Sequence, residues 1–446
     1  MYRKLTYYCT ILLLSGFITS QAQQEINLNL RRTVWQANRT NPAFLPDYAV
    51  VIGLPSIHNN LYLVNTNLES LVDRENNRIT LGSAIDQLEN NNNFREYLDV
   101  ETMSGGFYLG KLHLSLHHAF KFNGYSQIPK KLAEVIYQGN AQFIGETVDL
   151  SHDLSAFSYS EFGLGLGIKL GENVSLGGRL KYLSGLGNIS TSRGKFQLTT
   201  DDDIYQINLN ADYQIDATNF VQYNGLSSNE GVAQLMPIEF KQLISQNQGL
   251  AFDAGIYLDF EDVDIGLSIL DIGSITWDDN PRNYSIDGTY NYEGLDLLNA
   301  YFRDTISFSS VLDSLESVFN VQESQNAYTT ELPTRFYASF NYYLSEDWSL
   351  GAGVYTEWYR ENFFSAVTLN AQAILNDLVS VGATYTLFDQ NYDHLGFNAQ
   401  FHLGSVQLYA MTNNIMSAFQ YRKGSNVDFR VGLNFRFSEL KEEEDY

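Results

Sequence analysis

The chain has 446 residues, of which 44% are hydrophobic and only 18% charged, with 27 Lys and Arg against 52 Asp and Glu for a net charge of -25. An acidic chain without basic blocks is ill suited to neutralising phosphates, which excludes nucleic acid as a partner. The 28 Phe, 30 Tyr and 4 Trp exclude disorder over most of the length, and one Cys and 7 Pro leave neither a disulfide scaffold nor a Pro-rich linker.

Residues 1–22 read as a secretory signal peptide. Arg3 and Lys4 supply the basic start, Ile11 to Leu14 with Gly16, Phe17 and Ile18 the apolar stretch, and Ser20-Gln21-Ala22 the small-residue end. Cleavage would remove Cys9 and two basic residues, leaving 25 basic against 52 acidic residues and no thiol. Thiolate metal sites and Cys nucleophiles are thereby excluded. No other segment carries about 18 consecutive apolar residues, so a helical membrane protein is excluded as well.

Residues 23–110 are expected to hold an N-terminal hatch or plug with the first strand-like segments, around Tyr48 to Thr66 and Gly105 to Gly110. Between them Asn67 to Glu101 is polar and Asn-rich, with one weak helical stretch, and reads as a loop or part of the plug. From Leu112 onward the signal is period two. Tyr205, Ile207, Leu209, Ala211, Tyr213 and Ile215 alternate with polar residues, as do Val379, Val381, Ala383, Tyr385 and Leu387, and Leu395, Phe397, Ala399, Phe401 and Leu403. In the last run Val427, Phe429, Val431, Leu433, Phe435 and Phe437 share one face and Asp428, Arg430, Asn434 and Arg436 the other. On that polar face an arginine at Asn434 should be tolerated, whereas one at Val431 should hinder insertion.

The runs span about 9 to 13 residues, the length of tilted strands crossing a bilayer rather than that of soluble strands. Short turns at Gly171-Glu172-Asn173, Glu261-Asp262, Ser345-Glu346-Asp347 and Asn376-Asp377 alternate with long connections at 125–153, 217–247 and 277–332. The fold class predicted is all-β: a transmembrane antiparallel β-barrel over residues 111–437, of fourteen strands counted from Leu112 to Phe437. Sixteen is the alternative if the two earlier pieces join the wall. Pro129 and Gly139 bracket a helix over Lys130 to Gln138, and Val311, Leu312, Leu315, Val318 and Phe319 form a second helical stripe, both in outward loops. Residues 438–446 make an acidic tail.

Chemistry is sparse. His113, His117 and Lys121 fall on one strand face and read as polar lumen lining. His118 falls on the other face. Asp201-Asp202-Asp203 and the Asp259, Glu261, Asp262, Asp264 group read as turns rather than calcium loops. Gly163, Gly165 and Gly167 read as close-packed inward positions rather than a phosphate loop. No enzyme motif is present, and no cofactor or metal is called for.

Three stretches carry a resemblance: Asn41-Pro42-Ala43-Phe44-Leu45-Pro46-Asp47, Ile128-Pro129-Lys130-Lys131-Leu132, and Gly178-Arg179-Leu180-Lys181-Tyr182-Leu183-Ser184-Gly185. The chain resembles a family of uncharacterised outer-membrane barrels of Gram-negative bacteria, related to the long-chain fatty acid transporter (FadL-like) barrels, whose hatch bears an Asn-Pro-Ala motif. The resemblance implies location in outer-membrane lipid and a passage for small hydrophobic molecules. Asn41, Pro42 and Ala43 would shape the hatch kink, because Pro fixes its own φ and restricts the residue before it. The alternative is a non-transporting barrel that docks a protein partner through its long loops, for protein secretion or at the cell surface.

Overall fold

A computed structural model describes residues 25–63, 72–73, 78–79, 85–86, 88–223, 233–235, 244–292, 321–360, 362–388, 391–416 and 426–440. The expected signal peptide, the second expected loop helix and the end of the acidic tail lie outside the described residues. Fourteen antiparallel strands close on themselves. They are β1 (Tyr48–Gly53 continued by Ser56–Leu63), β2 (Asn91–Leu109), β3 (Leu112–Pro129), β4 (Asp153–Leu170), β5 (Val174–Thr200), β6 (Gln248–Asp259) and β7 (Val263–Trp277). The circuit continues through β8 (Thr334–Tyr343, preceded by Tyr328–Glu331), β9 (Trp348–Tyr359), β10 (Asn362–Asn376), β11 (Val379–Phe388), β12 (Asn391–Leu403), β13 (Val406–Thr412) and β14 (Asn426–Glu439). β1 closes the ring, with Ile57 opposite both Val100 of β2 and Val431 of β14. Closure satisfies every strand edge, the condition for crossing lipid with strands.

Alternation decides which side each residue faces. On β14 Val427, Phe429 and Val431 are exposed while Asp428 and Arg430 are buried. The same inversion of a soluble protein runs round the wall, with Leu164, Phe252, Phe340, Leu369 and Phe401 exposed on the outside. Such an apolar outer belt is what lipid requires. Among the described residues no helix is long and apolar enough to cross a membrane.

The strand total matches the expected fourteen, but its membership differs. The pieces at 48–63 and 91–109 are in the wall and residues Ile207–Thr218 are not, while Pro281–Tyr292, inside the expected connection 277–332, forms a further strand outside the wall. The latter two pair with each other, and the first pairs with the upper part of β5, from Asn188 to Thr200. Only the lower part of β5, Val174 to Ser184, pairs with β6. At 27 residues β5 outruns the bilayer and carries an outer sheet of its own. The apolar side of 207–218 faces not lipid but a local core of Phe143, Val148, Leu150, Leu198 and Leu209. Period two records a half-buried strand without saying what buries it. Over this core lies α2 (Lys130–Gln138), at the predicted boundaries, with Leu132 and Val135 packed inward.

Residues 91–101, expected as loop or plug, form the upper half of β2. Their inward residues are Arg95, Tyr97, Asp99 and Glu101 and their outward ones include Glu96, so charge on both faces hides the strand pattern. Within 23–110 the structure thus separates a luminal segment, residues 25–46, from two wall strands.

Candidate functional site: the hatch and the lumen around it

Residues 25–46 lie inside the barrel and form a short helix α1 (Ile26–Asn29) and a 3-10 turn (Trp35–Arg39). From Ile26 to Phe44 only Arg32 and Thr33 are more than slightly exposed. The wall makes room for this hatch with inward glycines. A Cβ at Gly177 would stand 2.2 Å from the Pro42 carbonyl, one at Gly255 2.0 Å from Asn41 Oδ1, and one at Gly167 2.4 Å from Leu45. Gly163 and Gly165 serve a different purpose, leaving space for His117 and Ser115 of the neighbouring strand.

Asn41 holds the turn. Its Oδ1 accepts the Ala43 backbone N–H at 2.9 Å, and its Nδ2 donates to the carbonyls of Ile256 and Leu267 at 3.1 and 3.2 Å. Pro42 follows at the turn, where its carbonyl accepts from Asn38 Nδ2 at 3.3 Å. Phe44 packs edge-on against Tyr257, with ring centroids 5.3 Å apart.

Charge holds the rest. Arg39 meets Asp99 at 2.8 Å and Glu101 at 3.1 Å, all three buried. Glu161 lies 3.6 Å from Arg39 and also binds His117 Nε2 and Lys121 Nζ, each at 2.9 Å. The predicted lumen residues His117 and Lys121 are therefore brought together on one carboxylate beside the hatch. His113 stands apart, its ring packed against Trp35 and Tyr108 with centroids 5.8 and 4.9 Å away. His118, on the outer face, accepts or donates to Thr102 and Ser160 at 2.7 Å each.

On the other side Arg179 pairs with Asp253 at 3.1 Å and donates to the Asn38 carbonyl of the hatch at 2.8 Å. Lys181 bridges Asp253 and Asp271 at 2.8 and 2.5 Å. Asp271 also binds Arg335, which reaches Glu25 at 3.1 Å, and Glu25 binds Arg430 of β14. Burial by itself would raise the Glu25 carboxyl, but Arg430 and Arg335 more than reverse this and hold it at about 2. One carboxylate at the head of the hatch thus ties β8 to β14.

Sequence reading missed Glu25, Arg39, Asp99, Glu161, Asp253, Asp271 and Arg335. The available signal was a charge at every second position of an otherwise apolar run, as in Arg179 and Lys181. Which charges meet is set by strands far apart in sequence. Asn434 corrects the expectation of tolerance: it is 0% exposed and exchanges hydrogen bonds with Gln36 of the hatch at 2.8 and 2.9 Å, so an arginine there has no room. The Asp201 carboxylate accepts the backbone N–H groups of Asp203 and Ile204, a turn contact, and Asp259 and Asp264 face Arg32. Among the described residues no three His, Asp or Glu side chains gather as a metal site.

Among and above these charges the lumen turns aromatic, around a further buried pair, Arg95 with Glu357. Phe157, Tyr159, Trp277, Tyr337, Tyr355 and Phe364 are buried in one cluster that reaches Ile26 of the hatch. Over it opens a vestibule of about 650 Å³, lined among others by His152, Thr191, Tyr328, Leu332, Tyr359 and Arg360.

A family of unknown function, DUF5723, matches residues 42–413, from the hatch turn to the end of β13. The chain belongs to this family. Its barrel is similar to solved barrels at low identity. One is a Pseudomonas aeruginosa FadL homologue, 9% identical, covering 95% of this chain and 100% of that chain, with a TM-score of 0.45. Another is the Ralstonia pickettii toluene transporter TbuX, 9% identical over 90% of this chain and 93% of that one, TM-score 0.43. The Pseudomonas putida toluene transporter TodX is 8% identical over 94% and 97%, TM-score 0.40. No curated protein matches the sequence. With the apolar belt and the closed strand ring, this member of the family is an outer-membrane β-barrel.

Proposed function

We propose that the barrel is a gated passage for a small, largely apolar molecule, held shut by its hatch. The observation that carries this reading is the inward aromatic layer between the vestibule and α1. Barrels that conduct water and ions line their interior with polar side chains. Here inward Phe157 and Tyr159 of β4, Trp277 of β7, Tyr337 of β8, Tyr355 of β9 and Phe364 of β10 gather around the buried Arg95–Glu357 pair, a mainly aromatic surface that suits a largely apolar solute entering from the vestibule. The buried ion pairs beneath form a barrier to such a solute, so passage needs the hatch to shift, and the turn at Asn41, Pro42 and Ala43 is where it would hinge.

A second reading, a docking role in the outer membrane, is favoured by the outer sheet, whose helix α2 turns Ile136 and Tyr137 to solvent at 76% and 53% exposure. Uptake separates the two. Cells carrying the protein should accumulate a fluorescent fatty acid or a neutral aromatic dye faster than cells lacking it, and Pro42→Ala should reduce that uptake while the barrel still assembles. Equal uptake with and without the protein removes the passage and leaves docking.

A further inference from the structure

Arg31 differs from the paired cations around it. Its guanidinium is 1% exposed, and its terminal nitrogens donate only to amide oxygens, Gln372 Oε1 and Asn370 Oδ1, the latter at 2.5 Å. Among the described residues no carboxylate forms an ion pair with it, whereas Arg39, Arg335 and Arg430 each meet one or more. Burial draws Arg31 down to about 9, so it remains charged at neutral pH. A buried charge faced by neutral dipoles alone is costly, because amides do not replace the solvation a counter-ion or water provides.

The surroundings point the same way. Arg31 Nε, Asn370 Nδ2, Thr384 Oγ1 and Gln400 Nε2 are buried and have no protein partner. Arg31 of the hatch faces three successive inward rows of β10, β11 and β12, with Gln400 opposite Ser380 in the row below Gly382. Gln372 stands opposite Gly382 and Gly382 opposite Asn398, and in the next inward row Asn370 stands opposite Thr384. Gly382 opens the wall there, since a Cβ would lie 2.0 Å from Arg31 Nη2 and 2.9 Å from Asn398 Nδ2. Two contacts tie the patch to the hatch: Thr33 Oγ1 donates to Gln400 Oε1 at 3.0 Å, and Asn398 Nδ2 to Asn27 Oδ1 at 3.1 Å. The latter turns Asn398 Oδ1 out as a leftover acceptor in the same patch.

We propose that Arg31, with Asn370 and Thr384 of the row above Gly382, holds a small monovalent anion at the seam between hatch and wall. Monovalent charge matches a single guanidinium, and N–H and O–H donors on several sides suit a halide or one carboxylate group. The anion would lock the hatch against β10, β11 and β12, the side of the barrel opposite the Arg39 cluster in the strand order. The inference is independent of whether anything passes through the lumen.

The test uses the full barrel in detergent, unfolded by heat in chloride, formate or gluconate at equal ionic strength, with wild type and Arg31→Gln. Chloride or formate should raise the unfolding midpoint over gluconate saturably, as a ligand of the folded state does, and Arg31→Gln should abolish the rise. Formate acting alone would mark a carboxylate site, chloride acting alone a halide site. Crystals grown in bromide should show an anomalous peak within hydrogen-bond reach of Arg31 Nε when chloride acts, and formate density there when only formate does. No anion dependence, or one that persists undiminished in Arg31→Gln, overturns the proposal. If Arg31→Gln does not assemble, the bromide or formate density in wild type decides, and its absence overturns the proposal.

Discussion

Glu25 concentrates at one residue what the hatch needs from charge. Its folded carboxyl sits at about 2 against an ordinary 4.5, so protonating it costs the folded state more than the unfolded one. The stabilisation is fully present above about pH 4.5 and is lost as the pH falls toward 2. Hydrogen exchange of residues 26–44 should accordingly rise through that window. Glu25→Gln should remove much of this acid dependence and loosen the hatch at neutral pH by about 3–5 kcal/mol, the usual cost of stripping one partner from a buried pair. An unaltered acid profile in Glu25→Gln would assign the effect to other carboxylates. Alternation placed His117 and Lys121 on a polar face, but nothing near them in sequence marked Glu161 or Arg39 as their company.

At the scale of elements, the wall strands are shaped as much by the hatch as by lipid. Gly177 and Gly178 are adjacent and face opposite sides of β5. A Cβ at Gly177 meets the rigid Pro42 backbone at 2.2 Å, whereas at Gly178 the nearest atoms are 3.7 Å away. Gly177→Ala should therefore overpack the seam, at about 1–3 kcal/mol, and make the hatch accessible to protease in an otherwise heat-stable barrel. Gly178→Ala should leave it protected. Equal protection in both would show that the hatch yields without strain. Strands whose outer face is apolar and inner face polar, such as β14, were legible from period two. β2 was not, because its charged inner face and Glu96 outside erase the contrast, and 207–218 was misplaced, because its apolar face is covered by protein.

At the scale of the whole molecule, the barrel is a wall closed in two senses, by its strand ring and by the segment inside it. Deleting residues 25–46 would strip Arg39 from Asp99 and Glu101 and leave both facing water, which solvates them, below the aromatic cluster. Such a barrel should conduct ions in a planar bilayer, cation-selectively given the freed carboxylates, whereas the intact protein should be nearly silent. Absence of added conductance would locate the closure in the aromatic layer instead.

Composition and alternation together determined that this chain inverts the soluble pattern, with apolar residues out and polar residues in, since side chains on a strand must take opposite sides and lipid accepts only one kind. The same local signals set the short turns and the bounds of α2. Only the tertiary structure decided which strands close the ring, which stand above it, and how the inward charges pair around Glu25, Arg39 and Asp271. Those outcomes depend on contacts between residues hundreds of positions apart, whose partners are chosen by ring closure and by the fit of the hatch rather than by any neighbour in the chain.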